Sequence, residues 1–108
     1  MKKLIVLGVA LLIAGAVSVK AADAKAIWEK ECAKCHGADG KGDTKMGKKV
    51  EVKDLTDAKV QADSNDEKMT KSIKDGVKDG DKTRMKAFGD LSDDEVKALV
   101  AYVRALKK

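Results

Sequence analysis

This sequence contains no proline, a single histidine, and only three aromatic side chains, Trp28, Phe88 and Tyr102. Without proline, no turn is pre-set by a locked φ, so the loops must take their shape from glycine or from something they wrap. Large apolar side chains are scarce as well. Residues 1–21 hold 15 of the 47 apolar residues, and 11 of the other 32 are alanines, which bury little area each. A chain so supplied cannot build a sandwich, a membrane channel or a large enzyme. Either part of it is disordered, or a group that is not protein provides the missing apolar surface. Basic blocks interleaved with aromatics are also lacking, which excludes nucleic-acid binding by base stacking.

The one long apolar run accounts for the uneven distribution. Lys2 and Lys3 precede an apolar stretch from Leu4 to Val17, and small residues follow at Ala21, Ala22 and Ala24. Charge, apolar run and small-residue cleavage site, in that order, are the layout of a secretory signal peptide, expected over residues 1–21. The 16 residues from Leu4 to Val19 fall short of the roughly 20 that span a bilayer, so no stable membrane insertion is expected. The expected product is an exported, periplasmic domain over residues 22–108. Its net charge is +2 rather than +5, because Lys2, Lys3 and Lys20 leave and no acid does.

Three helical segments stand out in the remainder. The first covers Asp23 to about Ala33, with Ala24, Ile27 and Trp28 on one face. A second is expected to start at a capping box of Ser64 and Glu67, to carry Met69, Ile73 and Val77 at steps of four, and to stop at Gly76. A third starts at the box of Ser92 and Glu95 and places Val96, Leu99, Val100, Val103 and Leu106 at helical spacing. The linkers 37–63 and 77–90 show no alternation that predicts strands. Linkers this long in so small a domain argue against an ordinary protein core.

Both cysteines and the histidine fall in one pentapeptide, Cys32-Ala33-Lys34-Cys35-His36. Cys-x-x-Cys-His is the attachment signature of c-type haem. Two sulfurs three residues apart reach the two vinyl groups along one side of a porphyrin. The histidine directly after them is carried under the ring, within reach of the iron. Such a group would supply the missing apolar surface. A disulfide or thioredoxin-like pair leaves His36 without a role. A zinc site would need a carboxylate to complete four ligands.

The sixth iron position has methionine candidates only, since there is no second histidine. Met69 sits in step with Ile73 and reads as a packing residue. Met46 lies ten residues past His36, too close to cross the ring. Met85, in a loop before the last helix, is the expected ligand; its thioether would raise the potential relative to a second imidazole. Lys82 and Lys86 are possible substitutes.

Taken together, Ile27-Trp28 ahead of Cys32, the run Gly37-Ala38-Asp39-Gly40-Lys41-Gly42 after the pentapeptide, Met85-Lys86-Ala87-Phe88, and Leu91-Ser92 leading into 98–103 resemble the small class I c-type cytochromes of bacteria. The resemblance implies an all-α fold, three to four helices around one covalently attached haem c, with first and last helices crossing near Ala24, Trp28, Leu99 and Tyr102. It implies cofactor attachment through Cys32 and Cys35, and iron ligation by His36 and Met85. Family members usually carry proline after that methionine, where this chain has Lys86, and a proline in the proximal loop, where this chain has none. With both axial positions filled, the expected function is one-electron transport by a monomer that meets redox partner proteins in transient complexes, not enzymatic catalysis. The basic residues Lys78, Lys82, Arg84 and Lys86 offer a docking surface diluted by Asp75, Asp79 and Asp81. The alternative is a haem enzyme or gas sensor with a weakly held sixth ligand.

Overall fold

The computed structural model describes residues 21–108. The expected signal peptide lies, apart from Ala21, outside the described residues.

Helix α1 (Ala21–Ile27) passes without a break into a π-helical stretch (Trp28–Cys32) and then into α2 (Ala33–His36). The segment therefore runs past the expected end at Ala33 and carries the whole cysteine–histidine pentapeptide. Ala24, Trp28 and Cys32 recur at steps of four, which overrun an α-turn of about 3.6 residues. The wider turn, closed by the Ala33 N–H on the Trp28 carbonyl, takes up that excess. Ala24 and Trp28 are buried, and Cys32 and Ala33 lie half-buried against the same core.

The first linker is not bare loop. It contains α3 (Lys45–Val50) and α4 (Ala58–Asp63), each opened by a side-chain cap: Thr44 accepts from the Gly47 N–H, and Asp57 from the Lys59 N–H. Helix α5 (Asp66–Asp75) begins one residue later than the Ser64–Glu67 box would place it. Asn65 is the cap and accepts from the Lys68 N–H. Asparagine caps at least as well as serine, and the nearer cap wins. Gly76 ends the helix with φ 78°, a left-handed value that favours glycine. Val77 consequently leaves the helix and is exposed.

The second linker folds into a short antiparallel hairpin, β1 (Val77–Asp79) and β2 (Lys82–Met85), which pairs Val77 with Met85 and Asp79 with Lys82. Its strands are mostly exposed, so no alternation of apolar residues announced them. The last helix, α6 (Asp93–Ala105), begins with the expected reciprocal box: Ser92 accepts from the Glu95 N–H, and the Glu95 carboxylate accepts from the Ser92 N–H.

The core joins α1 and the π-helical stretch after it to α5 and α6 through Ala24, Trp28, Met69, Ile73, Val96, Leu99, Val100 and Val103. Trp28 and Tyr102 meet with ring centroids 5.3 Å apart at 37°, at the crossing of the first and last helices. Such a pair adds about 0.5–1.5 kcal/mol beyond the area it buries. Gln61 of α4, buried itself, donates to the carbonyls of Leu55 and Val103 and so ties the loop half to α6. The architecture is the expected all-α one, with two short helices and a hairpin added.

Candidate haem-attachment site

Cys32 and Cys35 are both free thiols. Burial, with the nearby Glu31 and Cys35 charges, pushes the Cys32 thiol up to about 11. Cysteines that work by thiol–disulfide exchange need the opposite shift, toward thiolate. Cys32 is thus a poor exchange nucleophile. A zinc site has no support in the geometry either: among the described residues, no three His, Cys, Asp or Glu side chains cluster to hold a metal ion.

His36 closes the helical segment with its ring 5.5 Å from that of Trp28. Burial lowers its pKa, so the imidazole is neutral at pH 7 and keeps a lone pair. Its Nδ1 is buried with no hydrogen-bond partner. An orphan of that kind costs about 1–3 kcal/mol; one ring nitrogen would ligate the iron, and the other ordinarily donates to a carboxylate, carbonyl or water. Two free thiols and a neutral, buried, under-satisfied imidazole in one helical stretch fit a haem attached through the sulfurs.

The backbone around this stretch is fixed by four contacts. The Trp28 indole N–H donates to the Gly37 carbonyl at 3.1 Å. The Gly42 N–H donates to the His36 carbonyl at 2.7 Å. Thr44 Oγ1 donates to the Cys35 carbonyl at 2.9 Å. Gly47 of α3 comes so close that a Cβ there would sit 2.2 Å from the Cys35 oxygen, so only glycine fits. These glycine and threonine contacts hold the loop backbone in a chain that has no proline.

Met85, at the end of β2, is half-buried and packs against the same core as Cys32 and Ala33. Met69 is buried in the core, as its helical spacing implied, while Met46 is 41% exposed on α3. The segment after Met85 is pinned by the Phe88 N–H on the Ile73 carbonyl at 2.8 Å. Lys86, at the position where the class I cytochromes usually carry proline, lies over the Phe88 ring with Nζ 5.2 Å from its centroid. Sequence reasoning missed Thr44 and Gly47, and read Arg84 only as part of a docking surface. The Thr44 cap was there to be read, but the contact of α3 with the pentapeptide was not, because it joins residues that no local pattern links.

The structure thus defines a helical domain with one haem-attachment site of the c type. A family model described as cytochrome c oxidase, cbb3-type, subunit III matches residues 19–103. Among solved structures, the KustC0563 c-type cytochrome is similar at 34% identity and a TM-score of 0.71, over 79% of this chain and 98% of that one. No curated protein matches. The chain belongs to the c-type cytochrome family, holds haem c and its iron covalently, and works by haem-based electron transfer.

Proposed function

We propose that this chain is an exported one-electron carrier, free in the periplasm, in which Cys32 and Cys35 hold the haem, and His36 and Met85 ligate its iron. The observation that carries the reading is the pentapeptide itself: two unpaired thiols and a neutral buried imidazole on one rigid helical segment. Bound haem supplies one iron that takes up and gives back a single electron. The chain supplies its setting. Burial keeps His36 neutral and therefore able to donate its lone pair. The Gly42 and Thr44 bonds hold the backbone on either side of the histidine's Cα, and the core beside Trp28 excludes water. Met85 supplies a soft sulfur that favours the ferrous state. With His36 and Met85 both holding the iron, no position would be left for a substrate, which is why a carrier is preferred to an enzyme. Export rests on residues 1–21, and among the described residues no helix is long and apolar enough to cross a membrane.

The ferric protein should show the weak far-red sulfur-to-iron band, and Met85→Ala should abolish it. Rapid carbon monoxide binding by the untouched ferrous protein would instead mean an open sixth site, hence a sensor or enzyme. A second reading has one observation in its favour, because the matching family model is described as an oxidase subunit. The chain would then be a haem module docked on a larger enzyme. Stable co-purification with other subunits distinguishes it from a free carrier.

A further inference from the structure

Of the basic residues flanking Met85, Arg84 is set apart by its surroundings. Its side chain is 23% exposed. One guanidinium nitrogen, Nη1, lies 3.3 Å from Glu51 Oε2 and donates to the Val50 carbonyl at 3.4 Å. The other, Nη2, donates to Asp79 Oδ2 at 3.0 Å. Arg84 is therefore a poor docking cation. It ties β2 to β1 through Asp79 and to the end of α3 through Val50 and Glu51.

The end of α3 is itself unusual. Glu51, its C-terminal cap, has φ 60°, in the left-handed region that glycine adopts with far less penalty. A glutamate kept there places a carboxylate within reach of Arg84, which glycine could not do. The start of the same helix bears on the pentapeptide, through the Thr44 bond to the Cys35 carbonyl and the close approach of Gly47. One six-residue helix thus touches the residue before His36 at one end and the residue before Met85 at the other.

We propose that α3 and Arg84 form a strut that sets Met85 relative to His36, with Arg84 and Glu51 as positioning residues for the sixth ligand. The chain has no proline to stiffen the Met85 segment, and the strut supplies the stiffness from outside it. The proposal rests on the reading of Met85 as the sixth ligand. Its consequence is specific: breaking the strut loosens the methionine without unfolding the domain, whose core lies among α1, α5 and α6.

Imidazole titration of the ferric holoprotein tests this, followed by loss of the far-red band as imidazole displaces the methionine. Arg84→Gln should tighten apparent imidazole binding by about tenfold and Glu51→Gln by about threefold, as expected for partly exposed ion pairs. Lys74→Gln removes a more exposed ion pair, to Asp93, away from the strut, and should leave imidazole binding unchanged. Glu51→Gly relieves the left-handed backbone, so its melting temperature should exceed that of Glu51→Gln, while its imidazole affinity matches. The strut is overturned if wild type has the band and neither Arg84→Gln nor the Glu51 variants shift imidazole binding. It is equally overturned if the shifts merely follow global melting, Lys74→Gln included. A wild-type protein without the band overturns the Met85 reading, and the strut falls with it.

Discussion

The two sides of the attachment site are held by different forces. His36 sits at the end of a helix whose inner face, Ala24 and Trp28, is buried against Leu99 and Tyr102 of α6. Met85 sits at the end of an exposed hairpin, held by Arg84, by the Phe88 N–H, and by a half-buried contact with the core. The first side is anchored mainly by apolar packing, which salt and pH barely alter, with hydrogen bonds added; the second depends more on polar contacts worth little each. The histidine side is therefore the fixed reference, and the methionine side is where the sequence can adjust ligand strength at small cost to the fold.

The largest test asks whether either side stands without the group between them. A chain with Cys32→Ser and Cys35→Ser cannot attach haem. Among the described residues, eight buried apolar side chains make a thin core, and Leu55, Met85, Phe88 and Leu91 stay half-buried. The expected outcome is a chain without a cooperative thermal transition by far-ultraviolet circular dichroism. A sigmoidal, native-like melt would show that protein packing alone suffices and that the comparison overstates the cofactor.

Single side chains should separate the two sides next. Trp28→Ala in the holoprotein removes a fully buried ring, its contact with Tyr102 and its bond to Gly37, and should cost about 3–5 kcal/mol in denaturant unfolding. Trp28→Phe keeps most of the ring and should cost distinctly less. Arg84→Gln should cost about 1–2 kcal/mol in the same measurement, in step with its tenfold effect on imidazole binding. Equal losses from Trp28→Ala and Arg84→Gln would erase the distinction between a packed side and a tied one.

The packed side was also the legible one, and for the same reason. Apolar spacing at 96–106 and the Ser92–Glu95 box are local signals, so α6 could be read residue by residue. The pentapeptide is local too, and it named the cofactor before any fold was in view. The tied side is made of contacts distant in sequence. Arg84 meets Glu51, and Thr44 meets Cys35, with nothing in either neighbourhood to announce it. Helices of six residues such as α3 and α4 are too short to show a period, although Thr44 and Asp57 marked their starts. The Gly80-Asp81 dipeptide, which forms the two-residue turn, was the one available sign of β1 and β2. At Ser64, two adjacent capping residues competed, and the choice depended on geometry rather than type.

The smallest effect expected is one of pH, in the loop that joins α3 to α4. Asp54 Oδ1 accepts the Thr56 hydroxyl at 2.5 Å and the Thr56 N–H at 2.8 Å. Thr56 in turn is buried, and its carbonyl receives the N–H of Lys108, the last residue of the chain. Chiefly these two bonds, aided by the charges of Lys41 and Lys108, hold the Asp54 carboxyl below its ordinary 3.8; partial burial opposes them and is outweighed. Because the folded value lies below the unfolded one, the contribution is fully present above the unfolded value and is lost as pH falls through the folded one. Asp54→Asn keeps an acceptor of the same shape that does not titrate. It should leave the protein slightly less stable at pH 7 and flatten the decline of stability below about pH 4, read from denaturant melts across that range. Asp93, lowered by its bond to Lys74, has the same sign, and Asp93→Asn should flatten a separate part of the same decline. Neither change should move imidazole binding, because neither residue touches α3 or the hairpin through any of these bonds. If Asp54→Asn follows the wild-type curve throughout the acid range, the Asp54–Thr56 turn does not tie the chain's end to its loop half in the way its geometry implies.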